Sequence, residues 1–383
     1  MSYKMEIYSN RASGFIWDVT ELAHNIQYTS SLDGNPGKLS FVLEKDPNNI
    51  LMMECGFAVR FYENDDLVFH GWIFTLGSDR TEAYKVTAYD ILRYLKNHDT
   101  LAFSEGEKSL HDVFKMICEQ WNLEYEDLVL SAFGGEQTLK DLAANYLPKN
   151  NFNDMTLYDI LSWCMARAGN GEYDYGSGVK GSAIEQTVKG NKNYDADMDR
   201  DFVGAYYFLQ SRNGKLCLNE ITLNEKENPV IIGDESLLTD YEYELSIDKN
   251  TFNDIILVQE SDSEKKDGEK KIKNKVVVAS IKDDSTIKRW GRLNKTITIK
   301  DGATKAQIEE YLNLALQNYN QITKTLQIKA IGYPIYAGDT FWLRLKKLGA
   351  DFKCYVIAAT HDYGSHHVMN LEVSTNPKMQ EIL

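Results

Sequence analysis

Residues 57–73 read Phe57-Ala58-Val59-Arg60-Phe61-Tyr62-Glu63-Asn64-Asp65-Asp66-Leu67-Val68-Phe69-His70-Gly71-Trp72-Ile73. Phe57, Val59 and Phe61 alternate with Ala58, Arg60 and Tyr62, the period of two that marks a strand with one buried face. Asn64-Asp65-Asp66 supplies turn chemistry. Leu67, Phe69 and Ile73 then resume the apolar pattern, with Gly71 interrupting it. The same reading extends outward. Leu39, Phe41 and Leu43 alternate with Ser40, Val42 and Glu44 upstream, and a further strand is expected around Val86 to Tyr89. Gly14 and Asp33-Gly34-Asn35-Pro36-Gly37 punctuate the earlier part. Many short strands with such turns predict a small barrel or sandwich, taken as an antiparallel β-barrel over residues 1–103.

The far end of the chain repeats this order of parts. A strand over Leu326 to Ile331 leads through Pro334-Ile335 to Gly338-Asp339, as Leu39 to Leu43 leads through Ile50-Leu51 to Gly56. Phe341-Trp342-Leu343 matches Val59-Arg60-Phe61. A turn at Leu348-Gly349, Phe352, a return strand Cys354 to Ala358 and a final strand Val368 to Val373 follow in sequence. The expectation is a second, similar barrel over 238–383, with the two barrels separated by inserted helices, an α+β architecture. In that second region Thr251 to Val258 reads as a strand running into the charged stretch 260–275, expected to be a solvated hairpin tip. Thr304 with Gln307 caps a helix over 304–319 carrying Ile308, Leu312, Ala315 and Tyr319.

Between them, residues 104–237 read as a mainly helical middle domain. Ser109 with Asp112 forms a capping-box variant ahead of Leu110, Val113, Phe114, Ile117 and Trp121. Thr138 with Asp141 repeats it before Leu142 and Leu147, with Pro148 as a stop. Thr156 with Asp159 repeats it again before Leu157, Ile160, Leu161, Cys164 and Ala168, with Gly169 as C-cap. Residues 170–200, rich in glycine and polar residues, read as a long exposed loop. Ala205-Tyr206-Tyr207-Phe208-Leu209 and Leu216-Cys217-Leu218 flank Asn213-Gly214, a strong hairpin signal.

Composition narrows the function classes. The chain has 383 residues, with 42 Lys+Arg against 57 Asp+Glu and a formal net charge of −15. That balance lacks the basic footprint of a duplex nucleic-acid binder. No apolar run approaches the roughly 20 residues of a membrane helix, and residues 1–10 lack the apolar core of a signal peptide. Cys55, Cys118, Cys164, Cys217 and Cys354 are scattered and odd in number, which disfavours a disulfide framework and fits synthesis in a reducing cytoplasm.

The sequence singles out no catalytic, cofactor-binding or metal-binding residue. Phosphate-loop, nucleophile-elbow, zinc-protease and dinucleotide motifs are missing, and Gly176-Ser177-Gly178 lacks a strand-to-helix context. His361, His366 and His367, with Asp362, are the best metal candidates. Adjacent His366 and His367 point to opposite faces of a strand, and a solvated turn around Tyr363-Gly364-Ser365 is the expected reading. Asp195, Asp197, Asp199 and Asp201 resemble the start of a calcium loop, but Arg200 and Tyr206 stand where that loop needs Gly and Glu. Tyrosine is abundant in both β regions, as expected of core or subunit-interface positions.

Specific strings carry a resemblance to a family. They are Leu67-Val68-Phe69-His70-Gly71-Trp72-Ile73, Tyr84 to Asp90 and Tyr94-Leu95; Ser109 to Leu123, Thr156 to Gly169 and Arg212 to Leu216; and Thr251-Phe252-Asn253-Asp254-Ile255, Gly338-Asp339-Thr340-Phe341 and His361 to Leu371. In order and over nearly the whole chain, these resemble the XkdQ-like (PBSX-like) family of contractile-tail baseplate hub proteins of myophages and R-type bacteriocins. Stretches 170–200 and 260–275 look like insertions relative to that family. The resemblance implies a non-enzymatic structural protein, made in the bacterial cytoplasm and assembled into a baseplate. It implies a homotrimer whose six barrels form a pseudo-sixfold ring between a hexameric tail tube and a trimeric central spike, with other baseplate proteins as further partners. An acidic lumen would let DNA pass without binding it. A tail-associated peptidoglycan hydrolase and a carbohydrate-binding β protein are the alternative readings.

Overall fold

The computed structural model describes residues 3–10, 14–46, 52–78, 80, 82–104, 107–132, 147, 150–168, 173–174, 180–181, 207–221, 229–248, 251–262, 273–299, 305–347 and 349–374. The chain forms two compact units, Met1–Tyr241 with Gln327–Leu383, and Glu242–Leu326. The fold is mostly β with few helices.

The first β region contains β1 (Tyr3–Tyr8), β2 (Ile16–Asp18), β3 (Ala23–Ser31), β4 (Lys38–Leu43), β5 (Ala58–Glu63), β6 (Asp66–Ser78) and β7 (Tyr84–Asp90). Its strands follow the sequence alternation: Leu39, Phe41 and Leu43 of β4 and Val59 and Phe61 of β5 are buried. The β5–β6 turn sits at Asn64 and Asp65, with φ of 48° and 71°, the left-handed pair that a two-residue hairpin requires. A 3-10 turn at Ile91–Lys96, capped by Asp90, leads into the middle region.

The middle region contains β8 (His98–Phe103), α1 (Leu110–Gln120), β9 (Tyr125–Asp127), α2 (Leu128–Ala132), β10 (Asn150–Thr156), α3 (Leu157–Ala168), β11 (Tyr173–Asp174), β12 (Lys180–Gly181), β13 (Tyr207–Arg212) and β14 (Lys215–Glu220). The capping box at Ser109 and Asp112 is present, and Thr156 caps α3 by accepting the Asp159 amide at 3.0 Å. The apolar faces of α1 and α3 share one core with Phe103, Phe152, Leu209, Leu216 and Leu218. The region is therefore mixed rather than mainly helical, because β8–β10 and β9–β14–β13 supply sheet surfaces for the helices to cover. The Thr138–Asp141 cap lies outside the described residues. So does most of 170–200, within which β11 and β12 pair antiparallel.

The chain continues with β15 (Ile231–Gly233) and β16 (Leu238–Ser246), and closes with β20 (Thr323–Ile331), β21 (Thr340–Leu345), β22 (Ala350–Tyr363) and β23 (His367–Ser374). The unit Glu242–Leu326 contains β17 (Asp254–Asp262), β18 (Lys273–Lys282), α4 (Asp284–Trp290), β19 (Asn294–Ile299) and α5 (Lys305–Tyr319). Within it, Leu312, Ala315 and Tyr319 of α5 pack on Ile255 and Leu257 of β17. β17 and β18 pair as far as Asp262 and Lys273; residues 263–272 of the charged stretch, and Thr304, lie outside the described residues. The strand begins at Asp254 rather than Thr251 because Phe252 and Asn253 bond instead to Tyr319 O and Leu293 O.

The two β regions do not close into separate barrels. They lie in one open sheet of thirteen strands, ordered β16-β20-β23-β22-β3-β4-β7-β6-β5-β1-β2, with β21 pairing β22 and β15 off that path. The reason is length. β22 has 14 residues and β21 only 6, so β21 covers Ala350–Tyr355 and leaves Ala358–Asp362 to β3.

The internal repeat is nonetheless present in detail. Order β3-β4-β7-β6-β5 in the first region matches β16-β20-β23-β22-β21 in the second. Gly56 and Gly338 both hold the left-handed conformation, with φ of 90° and 91°. Gly56 N donates to Ile73 O (2.7 Å) and Ile73 N to Phe57 O (2.9 Å); Gly338 N donates to Val356 O (2.9 Å) and Val356 N to Asp339 O (3.0 Å). Pairing shifts register after Ile73 in β6 and after Val356 in β22, the same position of the repeat.

Candidate assembly interface

The join between the repeats is a five-residue antiparallel pairing of β3 with β22, from Gln27–Asp362 to Ser31–Ala358. Leu32 N extends it by donating to Ile357 O at 2.9 Å. Thr29 and Thr360 bring their hydroxyls to 3.4 Å across it, and Ala337 N donates to Ser30 Oγ at 3.1 Å.

Behind this join lies a buried polar cluster built from both repeats. Glu63, the last residue of β5, is 2 % exposed. Its Oε2 accepts from the Tyr336 and Tyr363 hydroxyls, both at 3.1 Å, and its Oε1 faces His367 Nδ1 at 3.2 Å. His361, fully buried, has Nε2 at 2.8 Å from Ile335 O and Nδ1 at 3.0 Å from His367 Nε2. A carbonyl only accepts, so His361 Nε2 carries the proton there and its Nδ1 accepts from His367 Nε2–H. His367 Nδ1 then faces the carboxylate, which pairs the ring with Glu63. Tyr28 packs on Tyr336 and Phe69, and Phe61 meets Tyr363 edge-on with centroids 4.7 Å apart.

This environment shifts the groups in opposite senses. Burial lowers the His361 pKa to about 4 by disfavouring the charged ring. Burial also pushes Glu63 upward, but His367 and the two tyrosines outweigh it, and the carboxyl ends below its ordinary range. Burial raises both tyrosines far above theirs.

The histidines are thus only partly where the sequence reading put them. His366 is exposed and the turn at 364–365 is a surface turn, but His361 and His367 are interior. The reason is partnership: the carboxylate they need stands about 300 residues away in sequence, on the other repeat. Among the described residues no group of three or more His, Cys, Asp or Glu side chains is placed to hold a metal. Asp195, Asp197, Asp199, Asp201 and Gly176-Ser177-Gly178 lie outside the described residues. All five cysteines are free thiols, four buried and Cys55 exposed. Of the tyrosines in the β regions, Tyr28 and Tyr363 are core, Tyr336 is half-buried, and Tyr3, Tyr243 and Tyr333 are exposed.

Two further polar sets carry structure. His111 Nδ1 lies 2.6 Å from Asp127 Oδ2, both side chains less than a tenth exposed, and Asp127 Oδ1 also accepts the Leu130 amide of α2. Within the second unit, Asn253 bonds Gly291 O and Leu293 N, each at 2.8 Å, and Asp254 pairs with Arg292. These fix the chain between α4 and β19, which accounts for the Thr251–Ile255 string. Neither set was visible in the sequence, since their partners are 16 to 40 residues away with no local pattern.

The profile of the family described as YQBQ-like matches residues 26–162 and 182–374. The chain is 24% identical over 330 residues to the phage-like element PBSX protein XkdQ of Bacillus subtilis, covering 85% of this chain and 83% of that protein. It is 23% identical over 322 residues to the YqbQ protein of the same organism, covering 83% and 81%. Its fold is similar to the 43 kDa tail protein of prophage MuSo2 from Shewanella oneidensis, with a TM-score of 0.60, 11% identity and coverage of 99% and 100%. It is equally similar to a tail protein from Neisseria meningitidis, with a TM-score of 0.60, 12% identity and coverage of 97% and 96%.

Proposed function

The chain belongs to the YQBQ-like family, and from that premise we propose that it is a structural baseplate hub of a contractile phage tail or tail-like particle. In this reading it is made in the bacterial cytoplasm and assembled as a trimer between the tail tube and a central spike, with other baseplate proteins around it. The observation that carries the reading is the internal repeat, matched to single hydrogen bonds at Gly56 and Gly338. A chain with two equivalent strand units offers six in a trimer, which meets a six-fold tube on one side and a three-fold spike on the other. Residues 1–103 and 238–383 serve as the two ring-forming domains, and 104–237 as a domain between them. Similarity to XkdQ over most of both chains supports the tail assignment.

The role is structural rather than catalytic. The titratable groups the fold gathers at Glu63, His361 and His367 are spent on one another in the interior. The net charge of −15 fits a channel wall that repels DNA phosphates. Cryo-electron microscopy of the particle containing this chain is the test. Three copies at the end of the tube, with an acidic wall, are expected; absence of the chain from any particle, or lysis of peptidoglycan by the purified chain, would overturn the reading.

A further inference from the structure

β22 has two partners along one edge, β21 at Ala350–Tyr355 and β3 at Ala358–Asp362, with β23 along the other edge. β6 is its counterpart. Asp66–Trp72 faces β5 and Gly71–Ser78 faces β7, and among the described residues no strand runs along the β5 side of Thr75–Ser78. The correspondence reaches single atoms: Ile357 O accepts Leu32 N at 2.9 Å, whereas the matching Phe74 O is met by the Cys55 thiol at 3.7 Å. The strand that would fill the place also exists. β16 stands beside β20 as β3 stands beside β4, and among the described residues no strand pairs its other edge. Tyr243 and Leu245 on it are 41% and 55% exposed. Open strand edges of this kind are what soluble proteins cover or pair.

We infer that β16 of one copy adds antiparallel to the Thr75–Ser78 edge of β6 in the next copy, reproducing between chains the β3–β22 join made within each chain. The occupant is a second copy because the within-chain join already shows which strand of the repeat this edge accepts. Each copy offers one edge of each kind, so the contact is head-to-tail and closes only as a ring. Closure at three copies rests on the hub reading above; the strand pairing does not.

The native Cys55 thiol, beside the β6 edge, serves as the probe in the full-length chain. Single cysteines are placed in turn at Asp240, Glu242 and Glu244, and the oxidised protein is resolved on non-reducing gels with linked peptides identified by mass spectrometry. A disulfide between chains from one of these positions to Cys55 is expected, in a ladder that ends at a closed ring. The double variant Thr29→Cys, Thr360→Cys reports the equivalent join within one chain. Gly77→Glu sets a carboxylate against the acidic β16. A side chain at Gly77 meets nothing nearer than 3.9 Å, so the fold is retained with an unchanged melt, and self-association weakens by about tenfold or more. Adding Glu242→Lys and Glu244→Lys restores it. A ring that forms with cross-links elsewhere, or that Gly77→Glu leaves untouched, overturns the pairing while leaving the hub reading intact. A chain that never self-associates, or a β6 edge taken by a different protein in the particle, overturns it too. Absence from the particle is the separate failure of the hub reading.

Discussion

The two repeats lay down equivalent strands in the same order, yet equivalent positions bury different chemistry. Glu63 ends β5 and Leu345 ends β21; both are interior, at 2% and 1% exposure. Gly71 lies in β6 where Cys354 lies in β22. A Cβ on Gly71 would stand 2.3 Å from Tyr89 O and 2.5 Å from the Phe69 ring, whereas Cys354 is accommodated as a fully buried side chain. The difference teaches that strand order and register tolerate exchange of the residues behind them. The join between repeats needs one carboxylate on one side only, because only there do the histidines of the other repeat arrive.

Truncating that carboxylate should have the largest effect. Glu63→Ala leaves the buried His367 ring and two tyrosine hydroxyls without their carboxylate partner, and a loss of about 3–5 kcal/mol is expected in chemical denaturation at neutral pH. Its counterpart Leu345→Ala should cost about 2–5 kcal/mol through a cavity. Only the Glu63 effect should vary with pH. Glu63 titrates below its ordinary value when folded, so its contribution is present above the ordinary carboxylate range and lost as pH falls. His361 acts in the same direction: its folded value of about 4 lies under the ordinary 6.5, so stability it supports above 6.5 is lost on the way down to 4. A Glu63→Ala penalty that stays constant from pH 7 to pH 4 would break this account.

Next in size is Gly71→Ala, expected to cost about 3 kcal/mol because a strand backbone must move to admit one methyl. Cys354→Ala, at the matching position, should cost about 1 kcal/mol. Equal melting losses for the two would show that the repeats are packed alike after all. Gly56→Ala and Gly338→Ala test the opposite claim, that the repeats are the same. Each forces a Cβ into the left-handed conformation, and each should cost about 1–2 kcal/mol; unequal losses would argue that only one of the turns is under constraint.

The smallest effect is at Asp90, whose carboxyl burial pushes up to about 8. A raised folded value means its contribution is full below the ordinary carboxylate value and is lost as pH rises through about 8. Asp90→Asn keeps an acceptor for the Leu92 amide, now bonded at 3.0 Å, and should change stability at pH 6 by less than about 1 kcal/mol. It should also flatten the decline of stability between pH 4 and pH 8. Stability curves of the two proteins that remain parallel across that range would remove Asp90 as the cause.

Local features were legible from the residues. The alternation at 57–61, the turn at Asn64-Asp65, the caps at Ser109 and Thr156, the Asn213-Gly214 hairpin and the order of the repeat all depend on neighbours within a few positions, so each left its mark in the sequence. Closure of each repeat into its own barrel was the natural extension of that reading. It failed because β22 outlasts β21, and strand length past a register shift has no periodic signal. The candidate site was less legible still. His361 and His367 were singled out, but as surface residues, since nothing near them in sequence names Glu63.

By itself the sequence determined the strand units, their repetition and the acidic, cysteine-poor character of the chain, because these follow from short-range periodicity and composition. Only the tertiary structure decided that the two repeats share one sheet, that a buried Glu63–His367 pair lies behind the join, and that among the described residues one strand edge in each repeat has no partner strand. Those facts depend on which edges meet, and backbone hydrogen-bond groups carry no residue code: any strand of suitable length and twist can offer them, and only the assembled fold shows which strand does.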